Sequence, residues 1–371
     1  MRRHIKYGEH TSPPSRCLLC EPWGNELPNE QGANTVKLTN QHIAFFKTFG
    51  YLVVRELLTP TEVQTVTQAF DWSIQNWGGG DIHDGSKRTM LGGPIEHTPE
   101  LCALLDHPGV VGLIGGVIGV DFNYCSGDGN YYTGDTGWHP DGNWGQLWAT
   151  KTAFYLDEVK RDSGCLRVIP GSQHPDHFIR REKIDVNTSA KLFGIPPSEF
   201  PGSIALESNP GDLVIFNHDL YHASFGGNTR RRMFTMNCTR RAKNPADMAT
   251  LRDYLSKHSP GAGNLDTSAG MFFPTIIDTA DEARMAHMRQ PIEVHDEMFP
   301  HLVRAAGERE RERQHAAGVG LRRRGRMRLE HDRERRVVER ERGRRVQREP
   351  PVEAVREIGW LETVSVVPHI T

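Results

Sequence analysis

Residues 203–238, SIALESNPGDLVIFNHDLYHASFGGNTRRRMFTMNC, carry the pattern on which the fold turns. Three short apolar runs, SIALE (203–207), DLVIFN (212–217) and MFTMNC (233–238), are strand candidates. Asn209-Pro210-Gly211-Asp212 separates the first two, and Gly226-Gly227-Asn228 precedes the third. Proline, glycine and asparagine at such positions supply the backbone angles of tight turns. The same texture extends upstream, with FNYCS (122–126), TAFYL (152–156) and CLRVI (165–169) as further candidates. Short strands with turn chemistry between them argue for an antiparallel sandwich or jelly roll.

Before residue 120 the periodicity becomes helical. Thr39 can cap a short helix ending at Gly50, with Ile43 and Phe46 on one face, and YLVVRELL (51–58) follows as a strand. Thr59-Pro60-Thr61-Glu62 is a capping box with proline at the first helical position. Val63, Val66, Phe70, Ile74 and Trp77 then recur at helical spacing and place one face on a core. Another helix starts near Pro99, with GLIGGVIG (112–119) as its glycine-loosened end or the following turn. The expected architecture is mainly β with α (α+β): a double-stranded β-helix, or jelly roll, faced by N-terminal helices.

Flanking this core (37–300) are two segments of different composition. Residues 1–36 are polar and rich in proline and glycine, and read as a flexible arm. Cys17-Leu18-Leu19-Cys20 lies there without a second pair of ligands to close a zinc site. Residues 304–371 are dense in arginine and glutamate, with no lysine after Lys257. Such a segment buries too little apolar surface to offset the entropy of ordering, so it reads as a disordered or loosely helical tail. A shifted reading frame in GC-rich DNA would also yield arginine without lysine. The interspersed glutamates cancel most of the field that would draw nucleic acid. A formal net charge of −2 gives no pull toward anionic membranes, and no apolar run near the roughly 20 residues of a bilayer span is apparent. Six scattered cysteines and an N-terminus without a secretory pattern read as a reduced, cytoplasmic protein.

The chemistry centres on TGWHPDGNW (136–144). His139 and Asp141, two apart on an extended segment, point to the same side and can take adjacent positions on a divalent metal. His222, after the strand of the opening stretch, is the best third ligand, since one end of a double-stranded β-helix brings both segments together. Two histidines and one carboxylate leave three metal positions open, a geometry suited to non-heme Fe(II). His218, four residues earlier, shares a strand face with His222 and is an alternative. His83-Asp84 is a weaker rival, because adjacent residues on a strand face opposite ways.

Four segments, LTNQHIAFFKTFGYLVVREL (38–57), GWHPDG (137–142), KTAFYLDEVKRDSGCLRVIPGSQH (151–174) and PGDLVIFNHDLYHAS…RRRMF, together resemble the phytanoyl-CoA dioxygenase-like Fe(II)/2-oxoglutarate oxygenases. The resemblance implies Fe(II) held by His139, Asp141 and His222, which family position favours over His218, with His218 packing nearby. It implies 2-oxoglutarate and O2 as cosubstrates and a small organic molecule as substrate. The family places an arginine shortly after the distal histidine to bind the far carboxylate of 2-oxoglutarate. Its position favours Arg231 over Arg230 and Arg232, with Ser224 as hydroxyl partner. His-Ala-Ser here replaces the family's usual His-Gly-Ser. Related halogenases lack the carboxylate ligand, so an intact Asp141 points to hydroxylation.

Trp144 is the preferred substrate contact among Trp138, Trp144 and Trp148, which otherwise read as core. Asn130 and Tyr132 are candidates to line the cavity. Lys151 and Arg167 are read as salt-bridged or solvated strand positions that could instead face the cosubstrate. Two other readings compete. One is a jelly-roll metalloprotein without 2-oxoglutarate, such as a cupin-like isomerase or binding protein. The other is an interaction protein with an inactive barrel.

Overall fold

A computed structural model describes residues 26–27, 36–77, 83–144, 146–227, 230–259 and 270–302. The proposed arm, with its Cys17/Cys20 pair, and the arginine-rich tail fall outside the described residues. Twelve strands are described: β1 (Glu26–Leu27), β2 (Tyr51–Val54), β3 (Thr89–Gly92), β4 (Asn123–Ser126), β5 (Asp128–Tyr132), β6 (Thr136–His139), β7 (Ala149–Tyr155), β8 (Leu166–Val168), β9 (Ile204–Leu206), β10 (Leu213–Asn217), β11 (His222–Ser224) and β12 (Arg231–Thr239). They form a large sheet in the order β1-β2-β10-β7-β12-β5-β3, with β4 also on β12, and a small sheet β6-β11-β8-β9. All pairings except β1 with β2 are antiparallel. This is the jelly roll that the run of short strands implied.

The large sheet is buried on both faces, so its strands read as continuous apolar runs rather than alternating ones. Parity sorts their side chains. Leu52, Val54, Phe154, Leu213, Ile215, Phe234 and Met236 join the main core with the helices. Tyr51, Val53, Ala153, Tyr155, Val214, Phe216 and Met233 face the other way and pack with Leu166, Val168 and Leu206 of the small sheet. Trp138, Ile169, Ile179, Val186, Phe200 and Ala223 form a third cluster.

Nine helices are described: α1 (Asn40–Phe49), α2 (Pro60–Trp77), α3 (Pro99–Cys102), α4 (Pro108–Ile118), α5 (Phe178–Arg181), α6 (Ser189–Phe193), α7 (Pro245–His258), α8 (Pro274–Asp278) and α9 (Glu282–Met298). Thr39 caps α1 with His42 reciprocating, and Thr59 and Glu62 close the expected box before α2. Gly50 ends α1 at φ 87°, and a Cβ there would meet Gln173 Oε1 at 2.6 Å, so only glycine fits.

Two expectations need correction. The helix that begins at Pro99 is only four residues long, and residues 112–118 of GLIGGVIG belong regularly to a separate helix, α4, which Gly119 caps at φ 112°. Its glycines admit close neighbours: a Cβ on Gly112 would meet the Val36 carbonyl at 2.9 Å, and one on Gly116 would meet Leu38 at 2.9 Å. Pro99–Ile118 is also long and apolar enough to cross a membrane by length and composition. Leu101, Leu105, Val110, Leu113 and Ile114 place it in the main core instead. The helical layer is not solely N-terminal either, since α7, α8 and α9 contribute Leu251, Tyr254, Ile276, Met288 and Val294 to that core. Beside them, the buried Glu96 carboxylate accepts from Tyr124 Oη and the Phe273 amide, both at 2.9 Å.

Candidate metal centre

Strand pairing brings distant parts of the chain face to face. In the β6–β11 ladder His222 lies directly opposite His139. Asp141 follows on the turn after β6, where its amide and that of Gly142 donate to the His218 carbonyl at 2.8 and 3.0 Å. One ligand atom from each of His139, Asp141 and His222 lies within 4.8 Å of the others. The His139 Nε2 atom is 3.9 Å from Asp141 Oδ1, and His222 Nε2 is 3.6 Å from Asp141 Oδ2.

Both imidazoles are oriented by backbone carbonyls. His139 Nδ1 lies 2.8 Å from the Gly137 carbonyl, and His222 Nδ1 lies 2.9 Å from that of Leu220. A carbonyl can only accept, so each ring keeps its proton on Nδ1 and turns the Nε2 lone pair toward Asp141. Burial pushes the His222 imidazole down to about 4, which keeps it neutral and able to ligate near neutral pH. Burial alone would raise Asp141, but the Lys151 ammonium, 2.9 Å from Oδ2, prevails and holds the carboxyl well below the usual range.

A cavity beside the ligands is lined by His139, His222 and Lys151 and also by Tyr132, Ser224 and Arg231. Arg231 is 3% exposed, donates through Nη1 to Ser224 Oγ at 2.6 Å and to the Gly164 carbonyl, and lies over the Tyr132 ring. Its Nε has no partner, and no acid faces it among the described residues. Parity of β12 explains the choice among three consecutive arginines. Arg231 shares the inner face with Met233. Arg232 turns toward the helices, where it pairs with Asp157 and Asp71. Arg230 lies over the Tyr131 ring. Gly164 has φ +88°, and a Cβ there would stand 1.6 Å from Arg231 Nη1.

The other candidates lie elsewhere. His218 is fully buried beside Trp144, Tyr254 and His258, outside the ligand cluster, with both ring nitrogens unpartnered. His83 binds Thr89, while Asp84 turns to Ser86. Trp144 is half-buried, packs on Tyr254 and His258 and donates to Asp253 at 3.3 Å. The Asn130 amide is engaged at both ends, by Arg88 and Asp128, whereas Tyr132 lines the cavity. Trp138 and Trp148 are core. Arg167 is buried away from the cavity, where it donates to the Arg161 carbonyl at 2.8 Å. Lys151, in contrast, lines the cavity and is salt-bridged there. Sequence reading missed its second partner, Asp128. The signal was available: Asp128, Asn130 and Tyr132 form a polar alternation on one face of a strand.

The fold and the convergence of two histidines, a carboxylate and an unpaired arginine define a jelly-roll oxygenase of the non-heme iron class. The family model described as phytanoyl-CoA dioxygenase matches residues 46–233, just over half of the sequence. The chain belongs to this family of Fe(II)/2-oxoglutarate-dependent oxygenases. Among solved structures, it is similar to the non-heme alpha ketoglutarate dependent carbocyclase SnoK from nogalamycin biosynthesis (20% identity, 55% of this chain and 85% of that one, TM-score 0.42). It is also similar to EctD from S. alaskensis with 2-oxoglutarate and 5-hydroxyectoine (18%, 57% and 78%, TM-score 0.42). A third is HygX from Streptomyces hygroscopicus with iron bound (15%, 55% and 88%, TM-score 0.44). No curated protein sequence matches the chain.

Proposed function

We propose that the protein hydroxylates a small organic molecule, consuming 2-oxoglutarate and O2 and releasing succinate and CO2. The observation that carries this reading is Arg231, a buried guanidinium with no acidic partner among the described residues, in a cavity that His139 and His222 also line. A buried unpaired cation is costly, and a carboxylate from a cosubstrate would relieve it.

His139, Asp141 and His222 would hold Fe(II), with Nε2 of each imidazole already freed by its backbone carbonyl. When bound, the metal and 2-oxoglutarate together supply the oxidising chemistry. The protein binds and orients. Arg231 and the Ser224 hydroxyl receive the far carboxylate of the cosubstrate, and Tyr132 stacks beneath the guanidinium and keeps water from its face. Asp141 fills the position a halide would need, which favours hydroxyl transfer. Trp144, three residues after Asp141 and half-buried, is assigned to the substrate side. Asn130 is assigned to ordering Asp128, since its amide is already engaged.

Adding Fe(II) and 2-oxoglutarate to the full-length protein without oxygen should produce a weak visible charge-transfer band. The band should vanish in His139→Ala. Metal uptake without any band would refute the role of 2-oxoglutarate. With oxygen admitted, succinate formation over a panel of small acids, amines and alcohols, read with the mass of the oxidised product, tests the hydroxylation itself.

A further inference from the structure

The cation nearest the ligand carboxylate is supplied by the protein. Lys151 Nζ stands 2.9 Å from Asp141 Oδ2 and 3.7 Å from Asp128 Oδ1. Its side chain is only 14% exposed, so these two carboxylates, more than water, balance its charge. Asp128 is held in place from several sides. Its Oδ1 accepts from Thr235 Oγ1 at 2.8 Å, its Oδ2 from Asn130 Nδ2 at 2.7 Å, and Arg88 Nη2 lies 3.4 Å from Oδ2. The arrangement follows from the sheet, because β12 runs between β7 and β5, with Asn237 opposite Lys151 and Thr235, two residues earlier, bonded to Asp128.

Two details distinguish this lysine from a mere orienting partner. The oxygen it holds, Oδ2, is also the one 3.6 Å from His222 Nε2. Since Oδ1 faces His139 at 3.9 Å, the ammonium on Oδ2 stands beside the position a dication would take among the three ligands, and it repels a dication there. A second carboxylate also waits on the ammonium's other side, which orienting Asp141 would not require. A neutral amide or hydroxyl could have oriented that carboxylate without the repulsion.

We propose that Lys151 is an internal counterion that occupies Asp141 in the metal-free protein and yields toward Asp128 when a divalent cation binds. It thereby sets metal affinity below what the three ligands alone would give. The inference rests on the reading of His139, Asp141 and His222 as metal ligands. Asp128 has the opposite effect, because it gives the displaced ammonium somewhere to go. The pair would act as a balance: one charge resists loading, and the other eases it.

The test is Mn(II) binding to the full-length protein, followed by calorimetry and by the electron paramagnetic resonance of bound Mn(II). Lys151→Met should bind Mn(II) about tenfold more tightly, and Asp128→Asn about tenfold more weakly. Lys151→Arg, which keeps the charge, should stay within about threefold of the unaltered chain. A lysine that only braces the site would weaken binding in both Lys151→Met and Asp128→Asn. That shared sign, or unchanged affinity in a Lys151→Met protein with native circular dichroism, overturns the proposal. If Lys151→Met does not fold, Lys151→Gln carries the same expectation. Binding that is lost in His139→Ala yet unchanged in Lys151→Met defeats this inference alone. No binding by the unaltered chain defeats the ligand assignment as well.

Discussion

The two faces of β12 have opposite characters although their residues alternate along a single strand. Toward the helices it presents Phe234, Met236 and Cys238, packed among aromatic and aliphatic neighbours such as Phe70 and Phe154. Toward the small sheet it presents Arg231 and Thr235, which line a cavity together with His139 and His222. Even the charged residues obey the division. Arg232, on the helix side, is satisfied by two aspartates, whereas Arg231 on the inner side meets a hydroxyl, a carbonyl and a ring. One face is finished as a core, and the other is left incomplete for a partner. A period of two is enough to keep stability and chemistry apart on one strand.

The largest test of this division is Phe234→Ala. It should cost about 3–5 kcal/mol of unfolding free energy by denaturant titration, in line with large-to-small core changes. Cosubstrate affinity in the folded fraction should be unaffected; a matching loss of affinity would break the separation.

Arg231→Ala should do the reverse. Removing one member of a buried charge pair costs about 2–5 kcal/mol, so 2-oxoglutarate affinity should fall by at least about thirtyfold. Arg232→Ala should leave that affinity intact and lower the melting temperature. Equal effects of the two arginines on cosubstrate binding would show that parity does not govern the site. Gly164→Ala is a subtler probe of the same position. Its Cβ would push the Arg231 guanidinium aside and weaken 2-oxoglutarate binding by about tenfold, a loss on the scale of one charged hydrogen bond.

A different kind of test is the pH dependence of stability, which runs in opposite directions in the two regions. In the metal-free protein, burial holds His222 at about 4 against 6.5 when unfolded. Between those values the unfolded chain takes a proton that the native state refuses, so stability falls as pH drops from 6.5 toward 4. In the helical region, burial raises Glu96 to about 7 from 4.5. There the unfolded chain releases its proton first, and stability falls as pH climbs from 4.5 toward 7. Glu96→Gln should remove the second slope and leave the first, as read by thermal melts across that range.

Much of the division was legible beforehand, because strand parity and turn residues are local signals. FNYCS, DLVIFN and MFTMNC announced themselves by composition, and the spacing in His139-Pro140-Asp141 pointed two donors the same way. His222 needed the topology as well, since only the β6–β11 pairing sets it opposite His139. What escaped notice depends on contacts between distant segments. Lys151 and Asp128 each look like ordinary solvated charges until β12 is laid between their strands. The helices α7 and α9 show weak apolar periodicity, and their caps, Asn244 with Pro245 and Asp281, were the readable sign. GLIGGVIG misled because glycine, a poor helix former by propensity, is retained here for the close approach of Val36 and Leu38.

Because the two histidines meet through a ladder register, the centre is indifferent to the length of chain between them. The segment linking β8 to β9 already spans α5, α6 and several turns, and further residues there would leave the pairing of His139 with His222 untouched. One residue inserted within β6 or β11 would instead rotate a histidine onto the outer face, among Trp138 and Ala223. The fold thus offers a long stretch beside His139 that is open to variation, tethered to a four-residue and a three-residue strand that admit none.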